Sequence, residues 1–280
     1  MEKMKHTPQF REQNLKKSRK HAKYIVKKKE VLLNEKTPFA VSEAFRNLKA
    51  ALSVSVPKDK EGGVAMMITS SFPQDGKTAI TANLGLMFAQ SEAKVVVVDA
   101  DMRKGRLGKY FTKENKPGLS DYLSGGATLE EILKPSGVND NLYVITSGTN
   151  SPKPYELLES QRMKELGEIL KEKFDYVLYD TPPVLLLSDA LALAPATDGT
   201  VLVCRYLASH VSDIVKSVNV LEFAKVNILG VVVNDYKTLN KKNGKRYSRY
   251  EDAEYPYAYT DAKLYENAAT TNLANTEKTK

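Results

Sequence analysis

The stretch Val64–Thr81, VAMMITSSFPQDGKTAIT, constrains the fold more than any other part of the chain. Val64 to Thr69 is a run of apolar or small residues, of the length that suits a strand buried on both faces. A polar loop containing Pro73 follows. Gly76, Lys77 and Thr78 then open a segment whose apolar residues, Ile80, Leu84, Met87 and Phe88, recur at helical spacing. Strand, loop, Gly-Lys-Thr and helix, in that order, are the layout of a phosphate-binding P-loop. Backbone N–H groups and the helix N-terminus of such a loop converge on a phosphate chain, which Lys77 would neutralise while the Thr78 hydroxyl ligates Mg²⁺. The standard G-x-x-x-x-G-K-[ST] pattern has glycine where this chain has Ser71, and a lone Gly-Lys-Thr also occurs in ordinary strand-to-helix turns. The other segments decide between the two.

Ala93–Asp101, AKVVVVDAD, places four valines in a buried strand with two carboxylates at its C-terminal end. Ligands of open parallel sheets sit outside the carboxyl ends of the strands, which directs Asp99 and Asp101 toward the P-loop. The plainer role of an Asp there is turn former or helix cap. Arg103, Lys104 and Arg106 follow and offer positive charge to phosphate. Phe174–Pro183, FDYVLYDTPP, is an apolar strand ending in Asp180, the Walker-B arrangement that brings a carboxylate to a Mg²⁺ shell. Leu142–Thr146, Thr200–Cys204 and Ile228–Val233 are further strands, and Gly118–Gly126, Pro154–Leu170 and Val211–Ala224 are helices. This alternation predicts an α/β, P-loop NTPase-like, doubly wound and mainly parallel sheet with helices on both faces. Asn234 follows the last strand at the carboxyl edge, either as a contact for a nucleotide base or as a turn former.

The 280 residues suffice for one α/β domain with extensions, and composition divides them into a basic N-terminal extension (1–36), a P-loop domain (37–237) and a flexible tyrosine-rich tail (238–280). In the extension, Lys16, Lys17, Arg19, Lys20, Lys23 and Lys27–Lys29 crowd around Leu15, Tyr24, Ile25, Val26 and Val31–Leu33. A basic helix on an anionic membrane, with about 1 kcal/mol per cation near the surface, and a solvated arm are evenly matched readings. Nucleic-acid binding is the weaker third, because no base-reading motif accompanies the charge. The formal net charge of +8 suits an anionic partner without choosing one. A single cysteine, Cys204, excludes an internal disulfide and a cysteine-based cluster within one chain, and it fits a reducing cytoplasm. No apolar run is long enough to span a bilayer and the N-terminus is not a secretory signal, so a soluble or peripheral protein is expected. From Ser42 a helix is expected with Ala44, Phe45, Leu48 and Leu52 on one face and Glu43, Arg46 and Lys49 three apart on another. Six of the 15 tyrosines, Tyr247, Tyr250, Tyr255, Tyr257, Tyr259 and Tyr265, fall in the tail among charged residues, Ala and Pro, and cannot form a core of their own.

Together the P-loop with Ser71, Pro73, Gly76, Lys77 and Thr78, the segment VVVVDADMR and the segment YVLYDTPPV resemble the bacterial tyrosine kinases that govern capsular and exopolysaccharide synthesis. GLSDYLSG, SPKPYELL and the tyrosine cluster are also similar to family segments, and the resemblance covers roughly 37–265. It implies an ATP- and Mg²⁺-dependent autokinase that phosphorylates its own C-terminal tyrosines in trans. Ser71, Gly76, Lys77, Thr78 and Asn234 would hold the nucleotide, Asn234 against adenine. Thr78, Asp101 and Asp180 would serve the metal, and Asp99 would be the base. Glu43, Arg46 and Lys49 match the family's ring-assembly motif, with Lys49 where the family has arginine, which implies a ring-like homo-oligomer on the scale of an octamer. Gln74 and Asp75 stand where Gly-Glu is usual, a departure of less weight because neither supplies the phosphate-binding cation. The Gram-positive arrangement implies a cytoplasmic kinase held at the inner membrane face by a membrane-anchored activator of the polysaccharide chain-length family and reset by a tyrosine phosphatase. The rivals are a partition or septum-positioning ATPase, which carries a signature lysine where this chain has Phe72, and a nucleotide-dependent adaptor without activity. The retained lysine, hydroxyl and three aspartates speak against the adaptor.

Overall fold

The computed structural model describes residues 32–56 and 62–235. The basic arm up to residue 31 and the tail from residue 236, with its six tyrosines, lie outside the described residues. In chain order the elements are α1 (Phe39–Ser55), β1 (Val64–Ser70), α2 (Lys77–Ala89), β2 (Val95–Asp99), α3 (Leu107–Tyr110), α4 (Leu119–Leu123), α5 (Leu129–Ile132), β3 (Lys134–Pro135), β4 (Leu142–Ile145), α6 (Pro154–Glu159), α7 (Gln161–Lys173), β5 (Tyr176–Asp180), α8 (Asp189–Leu193), a 3₁₀ turn (Ala194–Ala196), β6 (Gly199–Arg205), α9 (Val211–Phe223) and β7 (Ile228–Asn234). The strands form one sheet in the order β3-β4-β2-β5-β1-β6-β7. Every neighbouring pair is parallel except β3 with β4. This is the expected doubly wound α/β fold.

Side-chain alternation explains why the central strands are apolar throughout. Met67, Val96, Val98, Val177 and Tyr179 enter one buried layer, with Leu119 of α4, Leu166 of α7 and Leu193 of α8. Met66, Ile68, Val95, Val97, Leu178 and Val203 enter the other, with Leu84 and Phe88 of α2. Fully burying one such side chain contributes about 1.5–3 kcal/mol, against about 0–1 for an exposed ion pair. The two layers, not the surface charges, stabilise the fold. Helix α2 is buried from Ile80 to Ala89. Gly85 lets it lie close to the sheet, since a Cβ there would collide with Val97.

Helix α1 covers α2 through Leu52, 5% exposed, and the half-buried Phe45 and Leu48. Leu32 and Leu33 pack on the same layer, and the Leu33 N–H donates to Asn83 Oδ1 at 2.7 Å. The segment expected as one helix, Pro154–Leu170, is two. Ser160 takes an extended conformation (φ −63°, ψ 154°) and its hydroxyl accepts the Met163 N–H, which ends α6 and caps α7. Strand β3 has no counterpart in the sequence reading, because two residues carry no periodicity.

Candidate active site

Strand β1 is central in the sheet and delivers the chain to the loop 71–76 at the carboxyl edge. Two residues there have left-handed backbone, Gln74 at φ 72° and Gly76 at φ 100°. Such residues build the concave, N–H-lined nests that bind anions. For Gln74 the conformation costs on the order of 1 kcal/mol, and it persists only where the surroundings impose it.

Asp75 imposes it. The residue is 6% exposed. Its Oδ2 accepts the Phe72 N–H at 3.2 Å, its Oδ1 accepts the Ser209 hydroxyl at 2.9 Å, and its carbonyl accepts the Asn234 amide at 2.9 Å. Burial raises its pKa, opposed by the Phe72 N–H, the Ser209 hydroxyl and the charges of Arg205 and Lys77. The family comparison gave this position little weight because it brings no cation. Its contribution is to loop geometry, and no sequence motif marks it, because its partners Ser209 and Asn234 are more than 130 residues away.

Lys77 begins α2, and its Nζ lies 3.7 Å from Asp101 Oδ2 and 3.9 Å from Asp180 Oδ1. Asp180 ends β5 and is 1% exposed. Burial raises its pKa, Lys77 and the Thr78 hydroxyl draw it down, and Asp101 raises it again. The parallel register sets Asp99 of β2 beside Asp180. Asp99 is fully buried, and burial first, then the Asp180 charge, hold its pKa well above the carboxylate range. Its Oδ2 accepts the Leu107 N–H at 2.9 Å and its Oδ1 the Asp101 N–H at 3.3 Å. In this structure Asp99 therefore anchors the loop after β2, while Asp101 and Asp180 face Lys77.

The other expected residues divide. Ser71 is buried, and its hydroxyl is hydrogen-bonded to Ser217 of α9 at 2.8 Å, so only its backbone is left for phosphate. Asn234 reaches the P-loop from β7. Arg103, expected to offer charge to phosphate, instead donates to Asp189 through Nε at 2.8 Å and Nη2 at 3.1 Å. The reason is electrostatic: Asp189 is 1% exposed, and a carboxylate that deep needs a cation. Glu43 pairs with Arg46, and Lys49 donates to Ser91 of the same chain.

The donor set suits a divalent cation beside a phosphate chain. Both Asp180 oxygens are buried, and beyond the influence of the Thr78 hydroxyl and Lys77 nothing in the chain satisfies them. Together with Asp101 and the Thr78 hydroxyl they are hard oxygen ligands of the kind Mg²⁺ takes. Among the described residues no three His, Cys, Asp or Glu side chains form a metal cluster by themselves, so nucleotide oxygens would complete the shell. No helix of the described residues is long and apolar enough to cross a membrane.

The geometry agrees with the chain's similarities. A family model described as an AAA domain matches residues 74–228. The tyrosine-protein kinase YwqD of Bacillus subtilis (strain 168) is 35% identical over 217 residues, which are 77% of this chain and 85% of that protein. The tyrosine-protein kinase etk of Escherichia coli (strain K12) is 36% identical over 192 residues, 69% of this chain but 26% of that longer protein. This chain thus spans well under a third of etk's length. The solved kinase domain of E. coli ETK superposes with a TM-score of 0.65 at 34% identity, covering 73% of this chain and 79% of that one. The septum site-determining protein MinD of Pyrococcus horikoshii, solved with Mg-ADP, superposes at 0.54 and 27% identity, covering 62% of this chain and 71% of its own. MinD shares the architecture, whereas the kinases share more of the chain at higher identity. With its P-loop, the aspartates Asp99, Asp101 and Asp180 at and just beyond two strand ends, and these relatives, the chain belongs to the bacterial tyrosine-protein kinases of the P-loop class.

Proposed function

We propose that the chain is an ATP-dependent protein-tyrosine autokinase that modifies its own tyrosines, Tyr247, Tyr250, Tyr255, Tyr257, Tyr259 and Tyr265, in trans. The observation that carries this reading is Lys77, at the mouth of the P-loop, facing Asp101 and Asp180 beside Thr78. In the reaction a tyrosine oxygen bonds to the γ-phosphorus of ATP, the bond to the β-phosphate oxygen breaks, and ADP leaves. Loop 71–76 and Lys77 would hold the phosphates and stabilise charge on the γ-phosphoryl oxygens. Thr78, Asp101 and Asp180 would hold Mg²⁺, which when bound neutralises the phosphate charge. Tyrosine has a free pKa near 10, so it needs a carboxylate to accept its proton. The family resemblance gives that role to Asp99, whose oxygens in the unliganded chain accept the Leu107 and Asp101 N–H groups and would have to turn from the loop to receive the proton.

The test is incubation of the purified chain with Mg·ATP, with and without the cytoplasmic tail of a membrane activator, followed by phosphotyrosine mapping by mass spectrometry. Modification of the six tail tyrosines supports the reading. ATP hydrolysis with no phosphotyrosine under either condition would make the protein a septum-positioning-type ATPase instead. Placement at the inner membrane face through the activator, a resetting phosphatase and a role in capsule or exopolysaccharide export belong to the same proposal.

Assembly follows from α1. Glu43, Arg46 and Lys49 would bridge neighbouring copies in a ring that presents one tail to the next site. Their present partners lie within the chain, and exposed pairs of this kind hold by about 0–1 kcal/mol each, so exchange for partners on another copy is cheap. Replacing all three by Ala is expected to shift the protein to monomer in sedimentation velocity. An unchanged distribution removes α1 from the interface.

A further inference from the structure

We propose that Asn234 is a positioning residue for the P-loop, holding the phosphate-binding backbone in place whether or not the ligand carries a base. This rests on reading loop 71–76 as the nucleotide-phosphate site.

Asn234 closes β7, the edge strand farthest from β3. Its Nδ2 donates to the Asp75 carbonyl at 2.9 Å, between residues 159 apart in sequence. The amide also lies against Gly76, where a Cβ would collide with Nδ2. Glycine at that position therefore satisfies two demands, the left-handed φ of 100° and this close approach.

The contact is one link of a closed ring. Asp75 accepts the Ser209 hydroxyl at 2.9 Å, and Ser209 Oγ accepts the Arg205 N–H at 2.8 Å. The Arg205 guanidinium donates to Asp235 through Nη2 at 2.9 Å and Nε at 3.3 Å. Asp235 is the neighbour of Asn234, whose carbonyl accepts the Tyr206 N–H at 2.9 Å. The ring thus runs Asn234, Asp75, Ser209, Arg205, Asp235 and back. It joins the P-loop to the ends of β6 and β7 at Asp75, the residue between the strained Gln74 and the left-handed Gly76. A loop whose N–H groups must point at phosphate before phosphate arrives gains affinity from such pre-ordering. One N–H of Asn234 is committed to the backbone of the loop, so its removal disturbs the phosphate cradle itself.

The experiment uses a ligand that has no base. Calorimetry at low temperature measures binding of Mg·ATP and of Mg·tripolyphosphate to the full chain and to Asn234→Leu, Asn234→Ala and Ser209→Ala. The unliganded melting temperature of each is recorded alongside. Losing one net hydrogen bond corresponds to roughly five- to tenfold in affinity. The expected result is that each variant loses ATP and tripolyphosphate affinity by about the same factor, with the circular dichroism of the folded protein retained. If ATP weakens and tripolyphosphate does not, Asn234 contacts only the base and the proposal is wrong. If both affinities stay at wild-type values while only the melting temperature falls, the ring is purely structural and the proposal is equally wrong. Should Asn234→Leu not fold, Asn234→Ala decides by the same criterion. A wild-type chain that binds neither ligand would overturn the P-loop reading itself, an outcome separate from all of these.

Discussion

Lys77→Ala is expected to lower tail phosphorylation by at least 10²–10³-fold while the protein stays folded. Removing one preorganised charge donor from a transferring group costs that much in other sites, and Lys77 is the cation facing both Asp101 and Asp180. The fold survives because α2 is anchored by its buried stretch Ile80–Ala89, not by its first residue. Loss of the counter-charge beside Asp180 destabilises the metal-free protein by roughly 1–3 kcal/mol, within the 5–15 kcal/mol of an ordinary domain. Circular dichroism checks the fold, and mass spectrometry checks phosphotyrosine. Wild-type phosphotyrosine in a folded Lys77→Ala protein would remove the P-loop from the chemistry.

Asp180→Asn is expected to act in two opposite directions, abolishing phosphorylation while making the metal-free protein more stable. Asp180 is buried, the Thr78 hydroxyl and Lys77 offset only part of the cost of its charge, and its pKa is raised chiefly by desolvation. A group that holds its proton more tightly folded than unfolded stabilises the fold at pH values below its unfolded pKa. It loses that contribution as pH rises through the folded-state value. At neutral pH and without a metal ion the wild-type carboxylate is therefore a cost that Lys77, 3.9 Å away and shared with Asp101, offsets only in part. The isosteric amide relieves the remainder by about 1–2 kcal/mol, a few degrees in melting temperature. The same substitution removes a charged oxygen ligand, so activity falls by about 10²-fold or more. Calorimetry in chelator at pH 7, beside the kinase assay, measures both arms. A variant that melts below wild type in chelator would make Asp180 a structural residue rather than half of a metal site.

A conflict between stability and chemistry at one residue is usual where carboxylates are kept buried for function. Asp99 and Asp180 stand side by side because β2 and β5 pair in register. The Asp180 charge raises the pKa of Asp99, Asp101 raises that of Asp180, and the nearby Lys77 offsets only part of each. Arg103 meets the same demand at Asp189 with a bidentate pair, which is why it does not face the phosphate loop.

Much of this protein was legible in the chain alone. Apolar runs of strand length, VAMMIT, VVVV and YVLY, read as strands buried on both sides, and their alternation with helical segments points to a parallel sheet covered on both faces. Local spacing also placed Lys77 and Thr78 at a helix start and Asp99 and Asp180 at strand ends. Local signals could not say which strand lies beside which, and that order decides the rest. The pairing of β2 with β5 sets two aspartates against each other, and the place of β7 at the edge carries Asn234 to a loop 159 residues away. Asp75 and Ser209 show no motif at all, and they matter because the fold brings them to 2.9 Å. Helix ends were harder to read because capping is decided by one hydroxyl, as at Ser160. Hydrophobic patterning is a property of the chain and declares the layers. The protonation, strain and reach of a side chain in the site depend on which distant groups surround it, and only the tertiary structure decides that.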